Sequence, residues 1–170
     1  IEKLSEEDKK NKDKVVENAE QAIQGALDII AEDISDNPKY RKEIKRQCYR
    51  EALIETKASK EGEKSNYEMY YDYKEPIKYI PSHRILAINR GEKEEFLKVS
   101  IEKPVDKILN FIERKIIKND KYEQILKETI EDSFKRLIEP SVDREIRADL
   151  TEKADKQAIE VFGKNAKQLL

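Results

Sequence analysis

The two residue types that most often carry chemistry occur once each, as His83 and Cys48. One imidazole cannot build a His-based metal site and offers a Ser-His-Asp triad a single candidate. One thiol forms no internal disulfide and no Cys-x-x-Cys pair. Four scattered Gly leave no Gly-rich phosphate loop. Carboxylate pairs such as Glu94/Glu95 and Glu131/Asp132 are what chance supplies among 37 acids, and solvation explains them. Catalysis is therefore not expected, and neither is a metal or cofactor.

Binding chemistry has better candidates. The segment Lys39–Arg50 holds six positive residues and one negative. On a helix Lys39, Lys42, Arg46 and Arg50 form one stripe, because their spacings are three, four and four. Such a stripe can contact phosphates, each contact adding salt-dependent affinity. It can equally be a solvated face paired with acids of neighbouring helices, which the nearly cancelling total charge favours. Five of the eight tyrosines crowd between Asn66 and Arg84. They could stack bases, but Glu68, Asp72 and Glu75 are interleaved, which favours packing. Cys48 falls on an apolar helical stripe and reads as a small buried hydrophobe.

Composition frames these candidates. Thirty-five basic residues stand against 37 acidic ones, so no global field draws in nucleic acid or a membrane. A lone cysteine suits a reducing, cytoplasmic compartment. No apolar run approaches the roughly 20 residues that span a bilayer. Ile1 in place of Met suggests a piece of something longer. With 42% charged residues, no Trp and four Gly, the chain suits long solvated helices better than sheet.

The elements that must position these residues are mostly helical. Residues 1–13 read as a charged, flexible lead-in to a helical region over 14–170, with possible sub-lobes at 14–58 and 67–170. Val15, Ala19, Ala22, Ile23, Ala26, Leu27, Ile30 and Ile34 keep a helical period that Asp36-Asn37-Pro38 ends. Tyr40, Ile44, Cys48 and Ala52 mark a second helix, and 59–66 a polar loop. Ser82 is expected to cap a short helix and Gly91 to close it. Phe96–Ile101 alternates as a strand, and residues 85–90, if extended, would be its hairpin partner. Pro104 opens a further helix; Tyr122–Ile138 forms the next, stopped by Pro140; Ser141 starts the last. That last helix should lose order from about Gly163 unless something covers Val161, Phe162, Leu169 and Leu170. The expected fold class is mainly α, a multi-helix, bundle-like domain with at most a short β element near 85–101.

The tract Tyr70-Tyr71-Asp72-Tyr73-Lys74-Glu75-Pro76-Ile77-Lys78-Tyr79-Ile80-Pro81-Ser82-His83-Arg84-Ile85-Leu86-Ala87-Ile88-Asn89-Arg90-Gly91-Glu92 resembles the signature of bacterial Tex-like transcription accessory proteins. Gln24–Ser35 and Asp143–Arg147, with Ala154-Asp155, Val161-Phe162 and Asn165, resemble the family in the same order. The resemblance covers about residues 20–170. It implies a helical region standing before a YqgF-type nuclease-like domain, helix-hairpin-helix elements and an OB-fold RNA-binding domain. It further implies a scaffold whose partners are the remaining domains of the parent protein, RNA or DNA mainly through that parent, and the transcription machinery. The alternative is a direct but weak RNA- or DNA-binding module using the basic stripe with Arg84 and Arg90. Either arginine could hold a phosphate or tie a carboxylate within the domain, and the tie is favoured.

Overall fold

The computed structural model, which describes residues 5–170, turns its first corner on Asn37 and Pro38. Helix α1 (Glu6–Asp36) starts from Ser5, whose hydroxyl accepts the Asp8 N–H, with Glu6, Glu7 and Asp8 at the positive end of its dipole. It thus begins earlier than Val15, and the described part of the charged lead-in is helical from Glu6. Asn37 ends α1 in an extended conformation, and its side chain accepts the N–H groups of Lys39 and Tyr40. Pro38 then opens helix α2 (Pro38–Glu51), where its missing N–H costs nothing.

Three antiparallel strands follow the order β2-β1-β3: β1 (Leu53–Ala58), β2 (Asp72–Pro76) and β3 (Leu97–Glu102). Strand β3 lies where alternation placed it, but its partner is β1, with Ile54 opposite Ile101 and Thr56 opposite Val99. Residues 85–90 are helical, within α3 (Ser82–Lys93). The β content therefore extends beyond the short element expected near 85–101, while the fold stays mainly α. Thr56 is fully buried and its hydroxyl donates to the Tyr70 carbonyl at 2.7 Å, fixing the turn that leads into β2.

Helix α3 departs from its expected caps at both ends. Pro81 occupies the N-cap position, and the Ser82 hydroxyl instead bonds Gln157 on the last helix. Gly91 lies inside the helix, where an added Cβ would stand 2.6 Å from Leu97 Cδ1. Its role is to let α3 close on β3. The stop is made by Glu95 at φ 64°, with the Glu95 N–H donating to Glu92 O and the Phe96 N–H to Gly91 O. That pair of bonds is a Schellman closure with a glutamate at the left-handed position.

Pro104 leads into α4 (Val105–Ile116), and a short 3-10 turn into α5 (Glu123–Ser133). Pro140 does not stop the chain. A π turn over Phe134–Ile138 widens the backbone, and α6 (Glu139–Leu169) carries Pro140 in its first turn. The wider turn removes the clash that a proline ring makes with the preceding carbonyl in an α-helix. Ile108, Ile112, Ile130, Phe134, Ile138, Val142 and Ile146 meet Ile44, Cys48, Ile54 and Ile88 in one core, which crosses the boundary between residues 14–58 and 67–170. Two helices outrun that core. Val15, Ile23 and Ile29 of α1 are exposed, and α6 runs unbroken through Gly163 with Val161, Phe162 and Leu169 exposed.

One lysine ties the layers together. The side chain of Lys103 is 2% exposed, and its ammonium reaches Ile101 O at 2.9 Å, Asp143 at 2.7 Å and Glu139 at 3.1 Å.

Two stability outcomes follow. Glu95→Gly relieves the left-handed side chain and should stabilise the chain by about 0.5–1 kcal/mol in denaturant unfolding. Glu139→Gln with Asp143→Asn strands the Lys103 ammonium and should cost about 3–5 kcal/mol. Lys103→Met should cost less, because Asp143 and Glu139 are 33% and 37% exposed and reach water. The reverse ranking would show that the carboxylates, not the ammonium, carry the burial cost.

Candidate nucleic-acid interface

Helix α2 has three faces with different duties. Ile44, Gln47 and Cys48 point into the core, where burial pushes the Cys48 thiol up to about 11 and leaves it unreactive. Arg41, Lys45 and Tyr49, four apart, face α6. Arg41 donates to Glu145 at 2.7 Å, Lys45 to Asp149 at 3.2 Å, and the Tyr49 hydroxyl to Asp149. The ladder climbs both helices in the same direction. The Arg41 guanidinium, with Lys45, holds the Glu145 carboxyl below its usual range, and the Tyr49 hydroxyl, with Lys45, does so for Asp149.

The third face is the basic stripe. Lys39, Lys42, Arg46 and Arg50 all lie on the exposed side of α2, as their spacing demands. Arg46 grips Glu43 through two 2.9 Å bonds, and Arg50 stands 3.7 Å from Glu51, whose carboxylate bonds Lys107 more closely. Lys39 and Lys42 form no ion pair among the described residues.

Arg84 and Arg90 are not part of that face. Arg84 donates to both Glu75 oxygens, at 2.9 and 3.0 Å, and to the Tyr73 hydroxyl at 3.0 Å, so it makes the internal tie to β2. Arg90 is exposed on α3 and unpaired among the described residues. Other polar residues of the 70–92 tract hold α6. Asn89 bonds Thr151 at 2.9 Å and accepts from Arg147 at 3.0 Å, and Glu92 takes Arg147 at 2.5 Å. His83 remains exposed.

Where the stripe approaches α6, the surface forms an open depression. Arg46, Arg50, Lys78 and Lys153 surround it, Tyr49, Ile77 and Leu150 supply its apolar lining, and Asp149 is its one acid among the described residues. Lys78 and Lys153 were not singled out in the sequence. They belong to the β2–α3 link and to α6, and no local spacing connects them with α2.

The sequence that builds this fold is similar to known proteins. The Tex central region-like family model matches residues 5–162. The chain belongs to that family. YdcI of Bacillus subtilis is 51% identical over 165 residues, which are 94% of this chain and 23% of that protein. The transcriptional accessory protein Tex of Neisseria gonorrhoeae is 29% identical over 170 residues, 91% of this chain and 22% of that one. S1 RNA-binding domain-containing protein 1 of Homo sapiens is 36% identical over 133 residues, 72% of this chain and 13% of that one. The chain thus spans less than a quarter of the length of these relatives. No helix among the described residues is long and apolar enough to cross a membrane.

The α2–α6 ladder makes a pH prediction. Glu145 and Asp149 have depressed carboxyl pKa values in the fold. Their contribution is complete above the unfolded-chain carboxyl pKa, about 4, and is lost as pH falls through the lower folded values. Glu145→Gln with Asp149→Asn should therefore lower stability at neutral pH and converge with the parent chain in strong acid. Denaturant midpoints across that range check it. Parallel curves with a constant offset would show that the ladder does not set the acid limb.

Proposed function

We propose that this chain is a non-catalytic helical scaffold and interaction region within a Tex-like transcription accessory protein of the cytoplasm. The observation that carries the reading is how the polar side chains are used. Arg41, Lys45, Arg84, Asn89, Lys103 and Arg147 each join two different elements through short bonds. Such cross-ties fix the relative placement of α2, α3, the sheet and α6. Helix α6 then continues past the core to Leu169 as a strut whose direction is set at its base. A rigid strut on a cross-tied base holds whatever it joins in one geometry. Among the described residues, no three His, Cys, Asp or Glu side chains gather as metal ligands. The lengths of the relatives support partners within a longer parent protein. The reading adds RNA or DNA, engaged mainly through that parent, and the transcription machinery as a further partner.

The test has two readouts. Purified chain incubated with Mg²⁺ or Mn²⁺ and labelled RNA or DNA should give no cleavage above a mock preparation. In a full-length Tex protein carrying this chain, Ile159→Pro breaks α6 at a position 71% exposed, outside the core. Small-angle scattering should then show a wider distribution of shapes with the central region still folded. Cleavage abolished by His83→Ala, or an unchanged scattering profile, would count against the reading.

A further inference from the structure

The depression between α2, α6 and the β2–α3 link has features that a scaffold does not require. Four cations and, among the described residues, one carboxylate line it, on a chain whose formal net charge is −2; Arg46 is held by Glu43 and Arg50 stands 3.7 Å from Glu51, both acids outside that lining. That one carboxylate, Asp149, is already engaged by Lys45 and by the Tyr49 hydroxyl. Arg50 and Arg46 have side chains 57% and 66% exposed. Lys78 and Lys153 are exposed and form no ion pair among the described residues. The lining is apolar, from Ile77, Leu150 and the Tyr49 ring. Tyr79, which follows the lining residue Lys78 in the chain, is 71% exposed, and Lys78 Nζ stands 5.4 Å from its ring centroid. This large aromatic lies outside the apolar core and carries a cation over its face next to the positive charge of the depression.

We propose that this depression binds a single-stranded polynucleotide. Phosphates would lie along Arg50, Lys78 and Lys153, and one unstacked base would rest against Tyr79 and the apolar lining. The chemistry selects this ligand over its rivals. Cations spread around a rim suit a string of phosphodiesters, each neutralised in turn. An aromatic face with an apolar lining suits an exposed base, which a duplex keeps stacked inside. An acidic peptide would use the cations but leave Tyr79 idle. The inference goes beyond the scaffold reading and does not depend on it, since the rigidity of α6 and the charge of this surface are separate properties.

Fluorescence anisotropy on the 170-residue chain tests it, using labelled oligouridylate of about twelve nucleotides and a duplex of equal length. The single strand should bind with a dissociation constant on the order of 10⁻⁴–10⁻⁶ M at physiological salt and tighten as salt falls. Lys78→Glu with Lys153→Glu should weaken it at least about tenfold and flatten the salt slope by about 1.4, roughly 0.7 per phosphate contact. Tyr79→Ala should weaken single-strand binding by about 5- to 150-fold and leave the salt slope unchanged. All three positions are exposed, and circular dichroism of each variant checks that it folds. Lys60→Glu with Lys64→Glu, in the 59–66 loop, makes the same change in net charge and should bind like the parent chain. The proposal is overturned if the loop variant loses as much affinity as Lys78→Glu/Lys153→Glu. It is equally overturned if the duplex binds as tightly as the strand with Tyr79→Ala silent, or if polyglutamate competes as well as oligouridylate. None of these outcomes bears on cleavage or on the scattering of the longer protein, so the two readings fail separately.

Discussion

An ammonium group removed from water must have all its protons accepted, or burial costs several kilocalories per mole. Lys103 meets that demand with one backbone carbonyl from β3, the strand it follows, and two carboxylates from α6. The three acceptors come from the end of β3 and the first turns of α6, and Pro104 immediately follows to start α4. Three elements are thereby registered at one charge. Desolvation pushes the Asp143 carboxyl up, against the lowering by Lys103, so the pair is held under opposing influences rather than deeply stabilised. Its main yield is uniqueness of arrangement: apolar side chains tolerate small slips of one helix on another, whereas this geometry does not.

Everything α6 does downstream depends on where that anchor places its start. From there the helix presents Glu145 and Asp149 to α2 and Arg147 and Thr151 to α3, so its two sides are tied to two different neighbours. The π turn just before it belongs to the same constraint. Ser133 is fully buried and donates to Ala31 O at 2.6 Å, which fixes the end of α5 against α1. The extra residue of a π turn lets the chain leave that contact and still bring Glu139 and Asp143 onto Lys103.

The sequence disclosed what a periodicity of 3.6 can carry. Ile108 with Ile112, Ile130 with Phe134 and Ile138, and Val142 with Ile146 and Leu150 are all buried as their spacing requires. It concealed what depends on distant partners. Strand β2 is exposed and half-buried by turns along Asp72–Pro76, so it shows no apolar alternation, and β1 follows α2 too closely to announce itself. Gly91 was legible as a special position but not as a packing contact, because the group it admits, Leu97, lies in the next element. Periodicity is also silent about whether a partner is present: Val15 and Ile23 keep the rhythm of a buried face and are 67% and 55% exposed. At the candidate interface, the α2 stripe followed from local spacing. Lys78 and Lys153 did not, since only the tertiary fold brings the β2–α3 link and α6 beside α2.

Near-neutral total charge is consequently a poor guide to what the surface can attract. Attraction decays over a Debye length, roughly 8 Å at physiological salt, so a ligand senses the charges around it rather than the sum over the chain. Here the acids are drawn into specific duties. Glu75 serves Arg84, Glu92 serves Arg147, Glu145 and Asp149 serve Arg41, Lys45 and Tyr49, and Glu139 and Asp143 serve Lys103. Each such pairing holds its acid at a seam between elements, and of these acids only Asp149 also lines the depression. The other acids placed at the cross-ties are not at the depression, where Lys78 and Lys153 form no ion pair among the described residues and Arg50 has Glu51 at 3.7 Å. The positive surface follows from how the fold distributes its acids.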